Sequence, residues 1–336
     1  MEVQFRCCVI GATGFVGGQI VRAALARGWA VRGVRRRSDA VGALADVAEQ
    51  VEWAQADLAD LAALVVAMQG CPLVFHAGGY YPRREVDPWE AVRHGVLGMR
   101  NVFAAARVAR VRRIVYTSSF VTVGPPITPG QPANEDSLPV PGLARRPYAE
   151  VKWAMEQEAL RATLDGLPVV VVVPAPVFGP GEVKPAVSLQ WRVATRRLRW
   201  GWNGMVSVVD GRDLALGHLL AAERGKPGRR YIIAGHYMSV GELLAAMAEA
   251  AGGAPPHLRL SPRLAAGGWL GRFAAPAAGL PHDLSAWQPL DAARARQELG
   301  LAEPRPFAET CRDSVDWLRA AGHLPAVSGE ALTPKA

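Results

Sequence analysis

The sequence is poor in lysine, in paired cysteines and in long apolar runs, and each shortage argues against a class of protein. Its 336 residues include only four lysines, Lys152, Lys184, Lys226 and Lys335, so the formal charge of +8 is carried by arginine. No nucleic-acid recognition motif accompanies that charge, and an arginine bias also follows from coding composition, so nucleic acid is not an expected partner. The basic balance still suits an anionic ligand or an anionic membrane surface. The four cysteines, at 7, 8, 71 and 311, make no C-x-x-C pair. That argues against a structural disulfide or a zinc site, and for a reducing compartment. The longest apolar run, 167–178, is broken by prolines and is too short to span a bilayer. The chain enters a strand at once, leaving no room for a signal peptide, and no internal repeat is visible. The expectation is a cytoplasmic protein, with peripheral membrane association left open. Half of the residues are hydrophobic, enough for one large domain or two interleaved ones.

What is present is organised around Gly11-Ala12-Thr13-Gly14-Phe15-Val16-Gly17. The stretch follows an apolar run, 5–10, and opens a helical pattern over 19–27. Strand, glycine turn and helix form the arrangement that binds a dinucleotide. Gly11 permits the turn, Gly14 lets backbone approach a pyrophosphate, and Gly17 lets helix and strand pack closely. The helix N-terminus offers unpaired N–H groups and positive dipole to the phosphates.

A second strand, 30–34, ends in Arg35-Arg36-Arg37-Ser38. An acidic residue at that place would hold the ribose hydroxyls of NAD. A guanidinium there grips a 2′-phosphate instead, so Arg35 and Arg36 favour NADP(H). A third strand, 51–54, leads to Asp57 and Leu58. Asp57 is either an acceptor for the adenine amino group or the N-cap of a helix over 58–68. A fourth strand, 73–76, ends in Ala77-Gly78-Gly79-Tyr80-Tyr81, whose small residues permit close approach of a cofactor. Tyr80 and Tyr81 then fall at the carboxyl edge of the sheet, where ligands of open parallel sheets bind. His76 reads as a packed strand residue.

After a helix over 89–109, a fifth strand, 111–116, runs into Thr117-Ser118-Ser119. A Pro/Gly-rich loop, 124–146, is long enough to be a functional cover. Tyr148 and Lys152 follow, one helical turn apart on one face of a helix over 148–164. The all-β-branched run 169–173 is the pattern of a strand buried on both faces. Such alternation of strands and helices predicts an α/β fold with a parallel, doubly wound sheet. Beyond it, 190–204 interleaves Arg and Trp. That segment is an anion site, a membrane-docking surface or an amphipathic surface helix. The apolar stretch 259–280 reads equally as lid, interfacial helix or core. Strands are expected at 206–210 and 230–234, and helices at 214–223, after Ser239 with a Ser239/Glu242 capping box, at 292–299 and at 307–321.

Tyrosine and lysine one turn apart, with a serine at a strand end, form a proton-transfer device. A free tyrosine has a pKa near 10, too high for a base at neutral pH. A lysine ammonium nearby stabilises the phenolate and lowers that value. Tyr148 is then the acid/base for a carbonyl oxygen, Ser119 polarises that oxygen, and Lys152 tunes Tyr148 and anchors the nicotinamide ribose.

GATGFVG, YTSS at a strand end, YAEVK and PAPVFGPGEVKP together resemble the extended short-chain dehydrogenase/reductase superfamily over nearly the whole chain, to about residue 320. Within it, GPGEVKP, GHLLAAERGKPGRRYIIAG and ARQELG resemble dihydroflavonol-reductase-like and hopanoid-associated sugar-epimerase-like proteins. The resemblance implies Ser119, Tyr148 and Lys152 as the catalytic triad, and contact of the 174–177 backbone, including Pro174 and Val177, with the nicotinamide amide. It implies a substrate pocket between the sheet edge and the C-terminal segments. Tyr80, Tyr81, Ser119, Phe120, Lys184 and Trp191 are its candidate lining. Cofactor contacts are expected from Gly11, Thr13, Gly14, Phe15, Val16, Gly17, Arg35, Arg36, Asp57, Leu58, Ala77, Gly78, Thr117, Tyr148, Lys152, Pro174 and Val177; no metal is expected. Three family positions differ here: Gly95 and Val173 stand where asparagine is common, and Met99 where threonine is common, although Gly98 and Asn101 remain.

The expected architecture is a Rossmann-type nucleotide domain from 1–178 plus 205–235, a smaller cap from 179–204 plus 236–325, and a frayed tail. The expected activity is NADP(H)-dependent hydride transfer between nicotinamide and a carbonyl or secondary alcohol of a small molecule, terpenoid or sterol-like if the Arg/Trp and 259–280 segments are interfacial. A nucleotide-sugar epimerase and a non-catalytic NADP-binding sensor are the competing readings, and a homodimer is compatible with either.

Overall fold

The computed structural model describes residues 5–79, 87–139, 147–182, 188–198, 200–256, 258–260 and 287–325. Tyr80, Tyr81, Lys184, most of the 259–280 stretch and the tail after 325 lie outside the described residues.

Alternation of apolar strands with helices builds one parallel sheet of seven strands. In chain order these are β1 (Arg6–Ile10), β2 (Ala30–Arg35), β3 (Val51–Gln55), β4 (Leu73–His76), β5 (Arg113–Thr117), β6 (Val169–Pro174) and, later, β10 (Arg230–Ile233). Their order across the sheet is β10-β6-β5-β4-β1-β2-β3. The order reverses beside β1, which places a crevice at the carboxyl ends of β1 and β4. Helices α1 (Phe15–Ala26), α2 (Leu61–Met68), α3 (Pro88–Val108) and α4 (Pro147–Leu164) connect the strands. Every residue of β6 is buried, as its run of five valines requires.

Local chemistry sets the helix starts. Asp87 caps α3 by accepting from the Trp89 and Glu90 amides, with Pro88 at the first helical position, where its missing N–H costs nothing. The cap of α2 is Asp60, which accepts from the Ala63 amide. Asp57 is therefore not that cap; its carboxylate accepts from the Ala59 amide in a tight turn three residues upstream.

A smaller unit follows β6. It comprises β7 (Val177–Phe178), α5 (Leu189–Ala194), β8 (Trp200–Trp202), β9 (Met205–Asp210), β11 (His236–Ser239), α7 (Val240–Ala250) and β12 (Leu258–Leu260), with α8 (Phe307–Ala320) near the end of the described chain. Strands β11, β9 and β7 form a three-stranded sheet, and β8 pairs with β12. Helix α6 (Gly211–Arg224) and β10 rejoin the large sheet. Ser239 and Glu242 form the expected capping box on α7. The 190–204 segment is not one amphipathic helix: α5 stops at Ala194, and the chain turns into β8. A separate core gathers Phe178, Leu189, Val193, Val206, Val208, Leu243, Met247 and Phe307.

Candidate active site

The glycine turn has the shape that close backbone approach demands. Gly11 has φ +82, and a Cβ there would lie 2.7 Å from the Gly78 nitrogen. A Cβ at Gly17 would lie 2.0 Å from the Gly11 carbonyl oxygen. The turn after β1, the start of α1 and the end of β4 thus meet with only backbone between them. Helix α1 begins at Phe15 with no side-chain cap and no acidic residue in its first turn. Its leading N–H groups and dipole end are left for an anion. This cradle fits a dinucleotide pyrophosphate.

Arg35, at the end of β2, has its guanidinium carbon 4.8 Å from the centre of the Trp53 ring on β3. Its Nη1 donates to the Ala40 carbonyl at 3.3 Å. Arg35 makes no ion pair among the described residues, whereas Arg37 is paired with Asp39 at 2.7 Å. This support of the Arg35 guanidinium by Trp53 is a contact that the sequence did not announce. Arg36 is exposed, and its carbonyl accepts from Gln55 Nε2 at 3.1 Å. Leu58 is held by a carbonyl contact with Asn101 Nδ2 at 2.9 Å.

On the other side of the crevice, β5 delivers Thr117, Ser118 and Ser119. All three are buried, and each is fastened differently. Thr117 Oγ1 meets His218 Nε2 at 2.8 Å. His218 Nδ1 faces the Leu214 carbonyl at 2.8 Å, so Nδ1 carries the proton and Nε2 accepts from Thr117. Burial holds His218 neutral, with its pKa pushed down to about 4. Ser118 donates to Glu156 Oε2 on α4. Ser119 begins a short turn, Phe120–Thr122, where among the described residues its Oγ receives only a long 3.4 Å contact from the Val121 amide. Of the two serines, Ser119 is the one whose hydroxyl remains for a ligand.

Helix α4 opens with Pro147-Tyr148 and packs against the Phe120–Thr122 turn. Lys152, one turn after Tyr148, is 4% exposed. Its Nζ donates to the Thr117 carbonyl at 3.4 Å and lies 5.9 Å from the Tyr116 ring centre. Burial pushes the Lys152 pKa down to about 8, and the Glu156 carboxylate pulls it back up. The α3–α4 contact that seats this face explains one departure from the family pattern. A Cβ on Gly95 of α3 would lie 2.9 Å from Val151 Cγ1 and 3.2 Å from Met155 Cγ. Met99 is likewise accommodated, with its sulfur 3.2 Å from His76 Nε2. His76 is wholly buried in β4, as a packed residue should be.

Phe120 packs edge-on against Trp287, with ring centres 6.4 Å apart, and Phe178 meets the same indole at 6.4 Å. These rings form an apolar wall beside Ser119. Trp191 is engaged elsewhere: its Nε1 donates to the His323 carbonyl at 3.1 Å, and Arg197 stacks over its ring at 4.6 Å. Its polar edge is thus taken up by the chain after α8. Pro174 ends β6, and Val177 pairs with Val209 of β9.

Fold and crevice together define a Rossmann-type α/β architecture, with Ser119 after β5 and Tyr148 and Lys152 at the start of α4 on one flank of the crevice. Comparison with known proteins gives the family: residues 7–234 match the NAD dependent epimerase/dehydratase family. The chain belongs to that family and is of the extended short-chain dehydrogenase/reductase type. It is 33% identical over 331 residues to a protein named sterol demethylase protein B from Methylococcus capsulatus, covering 94% of this chain and 99% of the relative. It is 34% identical to a dihydroflavonol 4-reductase-like protein from Synechocystis, covering 94% and 95%. The crystal structure of gox2253 superposes with a TM-score of 0.81 at 30% identity, covering 95% of this chain and 99% of that one.

Proposed function

We propose that this protein is an NADP(H)-dependent oxidoreductase that interconverts a carbonyl and a secondary alcohol on a bulky, largely apolar substrate. The observation that carries the reading is the buried Lys152. It is tied to the strand end that carries Ser119 and lies one turn from Tyr148.

When bound in the crevice, the dinucleotide supplies or accepts the hydride. The chain's own residues handle the oxygen and the proton. Ser119 donates a hydrogen bond to the substrate oxygen and fixes its position. Tyr148 gives that oxygen its proton during reduction and takes it during oxidation. Lys152, while protonated, lowers the cost of the Tyr148 phenolate. Its charge is present below about pH 8 and is lost above it. Arg35 is held by the Trp53 face and makes no ion pair among the described residues, which suits a 2′-phosphate. The wall formed by Phe120, Trp287 and Phe178 suits an apolar ring system. The sterol demethylase and reductase names of the relatives point the same way.

The test is a titration with NADPH and with NADH, read by tryptophan fluorescence, on the wild type and Arg35→Ala. Preference for NADPH in the wild type and its loss in the variant is the expected result. Tight NAD(H) binding indifferent to Arg35 would overturn the cofactor assignment and favour sugar epimerisation, which recycles the nucleotide in place.

A further inference from the structure

Behind the site lies a buried ion pair that the proton transfer itself does not use. Glu156 is one turn beyond Lys152 and two beyond Tyr148 on α4. Glu156 has no exposed surface, and Arg230, from the edge strand β10, is 6% exposed. Arg230 Nε lies 2.8 Å from Glu156 Oε1. The other oxygen, Oε2, accepts from the Ser118 hydroxyl and lies 2.7 Å from Thr122 Oγ1. Thr122 Oγ1 is also 2.8 Å from the Ser119 carbonyl, so its one proton is shared between the two oxygens. Arg230 then reaches forward: Nη2 donates to the Thr122 carbonyl at 2.9 Å, and Nη1 to the Glu135 carbonyl at 2.7 Å.

A buried carboxylate is costly unless it is paired and hydrogen-bonded. Here every bond that meets that requirement comes from the turn carrying Ser119 or from the cation behind it. We propose that Glu156 is a positioning residue: its carboxylate registers the Tyr148–Lys152 face of α4 against the Ser119 turn and keeps the charge on Lys152, with Arg230 as its counter-ion. This rests on the catalytic reading above. It extends that reading to two residues that touch neither substrate nor cofactor.

Lys152 faces the Thr117 carbonyl after β5 and the neutral, buried His76 of β4; the groups facing Glu156 are these. Lys152 shares its helix face, Ser118 and Thr122 approach from the turn after β5, and Arg230 approaches from β10. Glu135 is one step further out: its Oε1 accepts from the Ile232 amide at 2.9 Å, and its Oε2 lies 3.7 Å from Arg294 Nε. Glu156 lies one helical turn from Lys152 on the same face of α4, so removing its negative charge removes the attraction that offsets the burial of Lys152. The Lys152 pKa must fall.

The test reads that shift directly, without cofactor. The chain has four lysines, so protein labelled with 13C-lysine gives four Cε signals, and Lys152→Arg identifies one of them. In Glu156→Gln the Lys152 midpoint is expected to drop by about one pH unit or more. An unmoved midpoint overturns the electrostatic role. Glu156→Asp keeps the charge, so Arg230 stays paired, and it remains informative if Glu156→Gln does not fold. Its Lys152 midpoint is expected to hold while kcat falls about tenfold and the KM for cofactor holds, because the shortened side chain loses register with the Ser119 turn. Unchanged kcat in Glu156→Asp overturns the positioning role. Turnover that survives Tyr148→Phe would sink the catalytic reading instead, and the Lys152 midpoint in Glu156→Gln still decides the electrostatics.

Discussion

The two flanks of the large sheet meet the crevice by opposite means. On the β1–β2–β3 flank the surface at the crevice is mostly backbone, a glycine turn and the bare start of α1, joined by the Arg35 guanidinium over Trp53, while the neighbouring Arg37–Asp39 pair is exposed. On the β5–β6–β10 flank the working surface is side chain. Lys152, Glu156, Arg230 and His218 are all buried there and all bonded. A dinucleotide is recognised by shape and phosphate charge, which backbone can supply. Moving a proton needs a titratable group whose surroundings are fixed and dry.

The sharpest break in that comparison is Tyr148→Phe, expected to cut turnover by a factor of about 100 to 10,000 with cofactor affinity kept, as measured by single-turnover kinetics and fluorescence titration. Next is Arg230→Met, which strands the Glu156 carboxylate. Loss of one partner of a buried ion pair destabilises by about 3–5 kcal/mol, read as a lowered urea midpoint. Asp39→Ala on the other flank, where both partners are exposed, should leave that midpoint where it is. Arg35→Ala is expected to weaken NADPH binding about ten- to a hundredfold, as loss of a charge-assisted bond does, and to leave NADH binding unchanged.

A more gradual effect appears with pH. Burial lowers the pKa of His218 to about 4 and that of His76 to about 3. Both are neutral in the folded chain and protonate on unfolding. The stability they contribute is complete above pH 6.5 and falls as pH drops towards those values, by about 1.4 kcal/mol per pH unit for each imidazole. Urea melts from pH 7 to pH 5 should show this slope, and His218→Gln should reduce it. Lys152, also lowered, acts on the opposite side of neutrality: between about 8 and 10.5 the unfolded chain holds the extra proton, so stability from this group rises with pH.

What could be read from the sequence follows the same division. The glycine turn, the alternation of strands and helices that implies a parallel sheet, and the Tyr148–Lys152 spacing are short-range patterns, and the structure contains each of them. The choice of Ser119 over Ser118 came from family resemblance; the structure supplies a reason, since Ser118 is committed to Glu156. The Glu156–Arg230 pair was missed because its members are 74 positions apart in sequence. The available signals were an acidic residue on the lysine face of α4 and an arginine inside an otherwise apolar strand. Trp53 was missed for a similar reason, since its role depends on the pairing of Gly33 and Arg35 in β2 with Trp53 and Gln55 in β3. Of the three readings of the Arg/Trp segment, the amphipathic helix fails, because Ser188 caps only a short helix and a turn follows at Thr195.

Gln288 donates from Nε2 to the carbonyls of Val123 and Gly124, 165 and 164 residues upstream. Leu290 is stitched to Ser207 by its amide and pairs with Ala133. The turn that carries Ser119 is therefore clasped by chain made much later. On a ribosome the seven-stranded sheet can be completed while that clasp is still unsynthesised, and units generally fold in the order they emerge. The nascent protein would acquire its nucleotide crevice first and its apolar wall last, so competence to bind cofactor precedes competence to enclose substrate.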